Sequence, residues 1–235
     1  MKKIISLLTV LLICVTFAAC GGSGDTSMTD NSSDYEVFDS MEYSVYVNIF
    51  YNGLGDDYVN KEYTKEGIFG ILQDEYSGVT RYYVWGYADQ TKCCDYQWEF
   101  VPDESIQLPA PGSLVKISGS LVADDDALDG YWFENVSFEV KKEKAASSYD
   151  YDLTTLSPTL VRVQLVNMQV HPLVFDSKSV NVYGRVLDSD TIQHPYYDEA
   201  WELDCKGELN GTTGSYVTVS GTFVAEGEDS YLQIN

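Results

Sequence analysis

Histidine is nearly missing from this chain, with two in 235 residues, and no nucleotide-binding loop motif occurs. Both scarcities thin out the general bases and phosphate cradles on which most enzyme sites are built, and no substrate or reaction is legible. Basic residues are few as well: Lys+Arg 14 against Asp+Glu 37, a formal charge of -23. A surface that negative repels phosphate backbones and anionic headgroups, which excludes nucleic acid as a natural ligand. No apolar run is long enough to remain in a bilayer as a comfortable spanning helix. What is present is a globular composition, 44% hydrophobic and 22% charged, too apolar for a disordered chain.

The N-terminus carries an address. Met1-Lys2-Lys3 is basic, Ile4 to Phe17 is apolar, and Ala18-Ala19 lead into Cys20. This is the layout of a signal peptide over residues 1–19. A cysteine directly after the small residues resembles the lipobox of bacterial lipoproteins. That resemblance implies cleavage before Cys20, lipidation of Cys20, and a chain anchored on the extracytoplasmic face of the cell membrane. Two acyl chains suffice for stable anchoring where one does not. After Cys20, residues 21–34 are Gly, Ser, Thr, Asp and Asn apart from Met28, with almost nothing for a core, and 20–34 read as a lipidated flexible tether.

The rest of the chain repeats. Val115-Lys-Ile-Ser-Gly119-Ser-Leu-Val-Ala123 returns as Val217-Thr-Val-Ser-Gly221-Thr-Phe-Val-Ala225. Trp98-Glu99-Phe100 returns as Trp201-Glu202-Leu203, and Lys61 with Gly67 returns as Lys178 with Gly184. The shrinking offset means the first unit holds about fourteen extra residues between its Lys-x5-Gly and its Trp-Glu, a stretch that includes Tyr82 to Cys94. Charged then small residues at 141–148 mark a linker. The units are therefore 35–142 and 149–235.

Most segments within each unit alternate polar and apolar with β-branched or aromatic residues, the pattern of strands. Gly119 and Gly221 inside such patterns predict a bulge or sharp bend. Segments 41–52 and 159–170 are exceptions: Met41/Val45/Ile49 and Val161/Leu165/Met168 fall on one helical face, which places a short helix ahead of each strand set. The expected fold class is mostly β, two tandem OB-like small β-barrels, each preceded by a short helix. Immunoglobulin-like sandwiches would need about seven strands apiece.

Asp89-Gln90-Thr91-Lys92-Cys93-Cys94-Asp95-Tyr96-Gln97-Trp98-Glu99-Phe100 resembles the Asp-Ala-Thr-Ala-Cys-Cys-x-x-Gly-x-Glu-Phe segment of a family of Gram-positive bacterial lipoproteins with an OB-like domain and no assigned activity. Tyr58-Val59-Asn60-Lys61 resembles their Tyr-x-Gly-Lys turn, and Val115 to Leu121 their Val-x-Val-x-Gly-x-Phe strand. The likeness covers roughly residues 41–140 and implies a site at Asp89, Thr91, Cys93, Cys94 and Glu99. The chain departs from the family pattern at Asn60 and Gln97, where glycine is usual.

Beyond the signal peptide and Cys20, three cysteines remain: Cys93, Cys94 and Cys205. An odd set outside the cell leaves at least one thiol unpaired within the chain or bound to something. Three readings stand open. Thiolates of Cys93 and Cys94 could ligate Zn or Cu, with Asp89, Glu99 or Cys205 completing the shell. Cys93 or Cys94 could pair with Cys205 and lock the units together. Or all three are small buried thiols, with Asp89 and Glu99 making turn and strand-end hydrogen bonds.

Tyr83, Trp85 and Tyr87 share one strand face and, if exposed, would form an aromatic surface able to stack on glycans. His171 and His194 each precede proline and read as turn residues, and Asp124-Asp125-Asp126 reads as a solvated hairpin loop. Taken together, the expectation is a membrane-anchored binding or interaction module for an extracytoplasmic protein or small ligand, not an enzyme and with no cofactor. The alternatives are a metal-handling lipoprotein using Cys93 and Cys94, and a glycan binder using the aromatic face.

Overall fold

The structure is a computed structural model and describes residues 40–88, 92, 94–193, 202–226 and 229–234. The signal peptide, Cys20 and the tether lie outside the described residues. Both barrels belong to one compact unit, Asp34–Asn235.

The first barrel follows helix α1 (Ser40–Phe50) and a short 3-10 turn (Gly55–Asp57). Its strands are β1 (Glu62–Asp74), β2 (Val79–Tyr87), β3 (Asp95–Phe100), β4 (Leu114–Ala123) and β5 (Tyr131–Lys142). They close in the order β1-β2-β3-β5-β4, with β4 returning to β1. Strand β3 meets β5 in parallel through Phe100 and Phe133, and the other pairings are antiparallel. Residues 143–148 are exposed and irregular, as a linker should be.

The second barrel opens with β6 (Tyr151–Asp152), a 3-10 turn (Leu153–Thr155), helix α2 (Pro158–Val170) and the one-turn helix α3 (Pro172–Phe175). Strands β7 (Ser179–Val186), β8 (Thr191–Gln193), β9 (Glu202–Lys206), β10 (Tyr216–Glu226) and β11 (Asp229–Ile234) close in the same cyclic order. Here β9 and β11 make the parallel pair. The chain is thus mostly β, with two closed five-stranded barrels of OB-like topology in tandem, each behind a helix.

The duplication extends to single hydrogen bonds. Gly67 faces Val115 across β1 and β4, and Gly184 faces Val217 across β7 and β10. Asn60 N–H donates to the Leu121 carbonyl at 2.8 Å, and Ser177 N–H to that of Phe223 at 2.8 Å. Gly112 N–H donates to Phe69 O, and Gly214 N–H to Val186 O. Those two glycines share a left-handed backbone, φ +88° and +87°, which glycine adopts without a side-chain penalty. Asn60 (φ 59°) and Ser177 (φ 65°) are also left-handed, so both of these turns are made by residues other than glycine. Asparagine tolerates that region; serine does so less readily.

The bulge predicted at Gly119 forms, whereas Gly221 keeps continuous register with both neighbouring strands and instead permits a close backbone approach. Register shifts between Ser118 and Ser120, at Gly119. A Cβ on Gly221 would come within 2.3 Å of Gln233 O. The predicted helices also form. Helix α2 buries Leu160, Val161, Gln164, Leu165 and Met168 over the second barrel, and α1 sets Tyr46 and Ile49 over the first. The side chain of Met41 lies outside the described residues.

The extra length of the first unit lies largely in the β1–β2 hairpin, with strands of 13 and 9 residues where β7 and β8 have 8 and 3. Its inner face, with Phe69 and Val84, fills the first barrel. Its outer face carries Leu72 and Tyr83, which belong to the same buried cluster as the core of the second barrel. Strands buried on both faces read as continuous apolar runs, the pattern of Tyr82 to Tyr87.

Candidate functional site at the barrel junction

Strand β3 begins directly after Cys94 and sets alternate side chains on opposite faces. Tyr96, Trp98 and Phe100 enter the first barrel. Asp95, Gln97 and Glu99 take the other face, towards α2 and the β4–β5 hairpin.

Helix α2 starts in standard fashion: Ser157 is the N-cap and accepts from Leu160 N–H at 3.2 Å, and Pro158 occupies the first helical position. The first barrel then adds a second cap. The Asp95 carboxylate accepts from Thr159 N–H at 3.1 Å, and Ser157 Oγ–H donates to Gln97 Oε1 at 3.2 Å. A carboxylate at a helix N-terminus satisfies an otherwise orphan donor and complements the helix dipole. Burial nonetheless raises the Asp95 pKa, with the Thr159 hydrogen bonds pulling the other way.

Neighbouring contacts complete the seam. Trp85 Nε1–H donates to Thr155 O at 2.9 Å, and Tyr151 O–H to Glu75 Oε1 at 2.6 Å. Gly70 leaves room for Leu156 and Thr155, each 3.2 Å from where its Cβ would stand. His171, at the end of α2, stacks on Tyr76 of the β1–β2 turn with ring centroids 3.8 Å apart.

Among the predicted site residues, Asp89, Thr91 and Cys93 lie outside the described residues. Cys94 is half-buried, and its carbonyl accepts from Ala88 N–H at 2.8 Å, closing the base of the β2–β3 connection. Glu99 is committed elsewhere: Oε1 accepts from Arg81 Nη1 at 2.6 Å and Oε2 from Leu128 N–H at 2.9 Å. It ties β2 and the β4–β5 hairpin to β3, the strand hydrogen-bonding role among the three readings.

Cys205 is a free thiol in the core of the second barrel, on β9 and opposite Leu232, with Sγ donating to Leu203 O at 3.6 Å. Burial, reinforced by Asp204 and Asp190, pushes the thiol pKa up to about 12. The disulfide to Cys205 is not formed. Among the described residues no group of three or more His, Cys, Asp or Glu is gathered for a metal.

The aromatic surface is corrected outright. Tyr83, Trp85 and Tyr87 are only 1%, 1% and 5% exposed. Tyr83 is buried within the second barrel's core cluster, Trp85 reaches Thr155 of that barrel, and Tyr87 packs on Trp85 edge-on. The row that looked suited to glycans lines the inner wall of the seam. His194, Tyr196, Tyr197 and Trp201 lie outside the described residues. Asp124 to Gly130 form a hairpin loop held by Asp124 N–H to Gly130 O and Asp126 N–H to Asp124 Oδ1, as expected.

Sequence reasoning missed Asp95 as a cap and Lys65 as a buried cation. Lys65 is 1% exposed, with Nζ 3.5 Å from the Tyr96 ring centroid and 5.3 Å from that of Trp98. Aromatic faces stabilise a desolvated ammonium. Its inward direction was legible, since Lys65 shares the strand period of Gly67 and Phe69.

No family model and no curated protein matches the chain.

Proposed function

We propose that the chain is a lipid-anchored extracytoplasmic lipoprotein whose two barrels act together as one rigid binding or interaction module, without chemistry of its own. The observation that carries this reading is the seam. Asp95 caps α2 across the junction, Gln97 accepts from that helix's N-cap serine, Glu99 ties neighbouring strands, and Cys205 packs in the second core. The signal-like N-terminus and the likeness to OB-like Gram-positive lipoproteins support the location, and Cys20 is the lipid acceptor. No helix among the described residues is long and apolar enough to cross a membrane.

Labelling cells with a fatty-acid probe tests it. The wild type should take up label and sediment with membranes, and Cys20→Ser should do neither. Elemental analysis of the reduced, purified protein tests the metal alternative: stoichiometric Zn or Cu that disappears in Cys93→Ser/Cys94→Ser would replace the binding-module reading with metal handling.

A further inference from the structure

The outward face of α2 exposes two valines where a surface helix is ordinarily polar. Arg162, Val166, Gln169 and Val170 are all exposed, and Arg162, Val166 and Val170 follow one another at four-residue spacing along one face. Helix α3 continues the patch with Leu173 and Val174; Leu173 is 79% exposed and Val170 62%. The Tyr76–His171 stack joins this patch to the turn of the β1–β2 hairpin, where Tyr76 and Val79 are exposed too. Both barrels thus contribute to one apolar surface.

The charge around it is unusual. A chain with 37 acidic residues has none between Leu153 and Phe175, while Arg162 stands on the patch and His171 at its centre. The acids that border it are hydrogen-bonded but keep their charge: Asp74 accepts from Tyr76 N–H and Ser77, Glu75 accepts from Tyr151, and Asp176, directly after α3, accepts from Ala225 N–H. Elsewhere a net charge of -23 pushes an anionic bilayer away.

We propose that this patch is the face the protein lays on the bilayer, with Val166, Val170, Leu173, Val174 and Tyr76 reaching the headgroup–acyl boundary and Arg162 meeting headgroup phosphates. An apolar helix face flanked by a cation is the arrangement of interfacial helices, and tyrosine suits the same boundary. The proposal rests on the lipoprotein reading for the nearness of the membrane. On that reading the tether of residues 20–34 has a root-mean-square length of roughly 21 Å, which would hold the domain at high effective concentration beside the surface. A modest patch is then sufficient to fix its orientation.

Hydrogen exchange tests this without relying on Cys20. The chain, with an N-terminal hexahistidine tag, is tethered to phosphatidylethanolamine–phosphatidylglycerol vesicles containing a nickel-chelating lipid. Amides of 166–178 and 74–80 should exchange about tenfold more slowly than in the untethered chain. Val170→Asp/Leu173→Asp, at exposed positions that leave the core intact, should abolish the slowing while the protein stays on the vesicles. Unchanged exchange on tethering, or slowing that survives the double substitution, would overturn the proposal. Equal slowing without vesicles that grows with protein concentration would assign the patch to a second copy instead. Failure of Cys20→Ser to release the protein from cells would count against the anchor alone.

Discussion

Thr159 N–H, in the first turn of the second barrel's helix, donates to the carboxylate of Asp95 on the first barrel's β3. The residue after Cys94 is therefore a helix cap supplied across the junction. This changes what the Cys-Cys segment means: Cys94 is one peptide away from a contact that holds the barrels together.

Replacing Asp95 should report on that contact. Asp95→Ala removes the acceptor and should cost about 1 kcal/mol by the usual penalty for a lost helix cap; Asp95→Asn keeps an acceptor and should cost less. Because burial raises the Asp95 pKa, the folded state holds this proton more tightly than the unfolded state. Its contribution to stability is fully present below the ordinary carboxylate pKa and declines as pH rises through the raised value. Urea unfolding at a series of pH values should therefore show the wild type losing stability relative to Asp95→Asn as pH increases over that interval. A constant difference across pH would contradict the assignment.

The two left-handed turn residues make a paired comparison. Ser177→Gly should stabilise the protein by roughly 1 kcal/mol, since it removes the Cβ clash of a left-handed backbone. Asn60→Gly, at the equivalent place, should gain only a few tenths because asparagine already tolerates the conformation. Denaturation midpoints at unchanged m-value would show this ordering; equal gains, or losses at both sites, would not fit.

Much of the architecture was legible because duplication constrains it. The pairing of Gly67 with Val115 and of Gly184 with Val217 is the repeat read off the chain, converted into strand register. Helix α2 follows from the Val161/Leu165/Met168 spacing. The site was less legible, for a physical reason. Alternation identifies the two faces of a strand and says nothing about what covers the outer one. Tyr83, Trp85 and Tyr87 therefore looked like a surface until Thr155 and the second core were in place against them. Asp95 gave no signal at all, since its partner is a backbone N–H 64 residues away.

Cys205 should behave as a core residue. With its pKa near 12, a thiol reagent at pH 8 should leave it unmodified in the native protein and modify it fully in denaturant. Peptide mapping by mass spectrometry distinguishes it from Cys93 and Cys94. Rapid native-state labelling of Cys205 would contradict the buried position.

The seam itself is tested most directly by native-state hydrogen exchange in β2 and β10, one strand from each barrel. Coupled barrels predict the same opening free energy in both strands, and an equal drop in both when Trp85→Phe strands the Thr155 carbonyl, by about 1–3 kcal/mol. Two distinct opening energies, with Trp85→Phe lowering only that of β2, would mean that the barrels are independent.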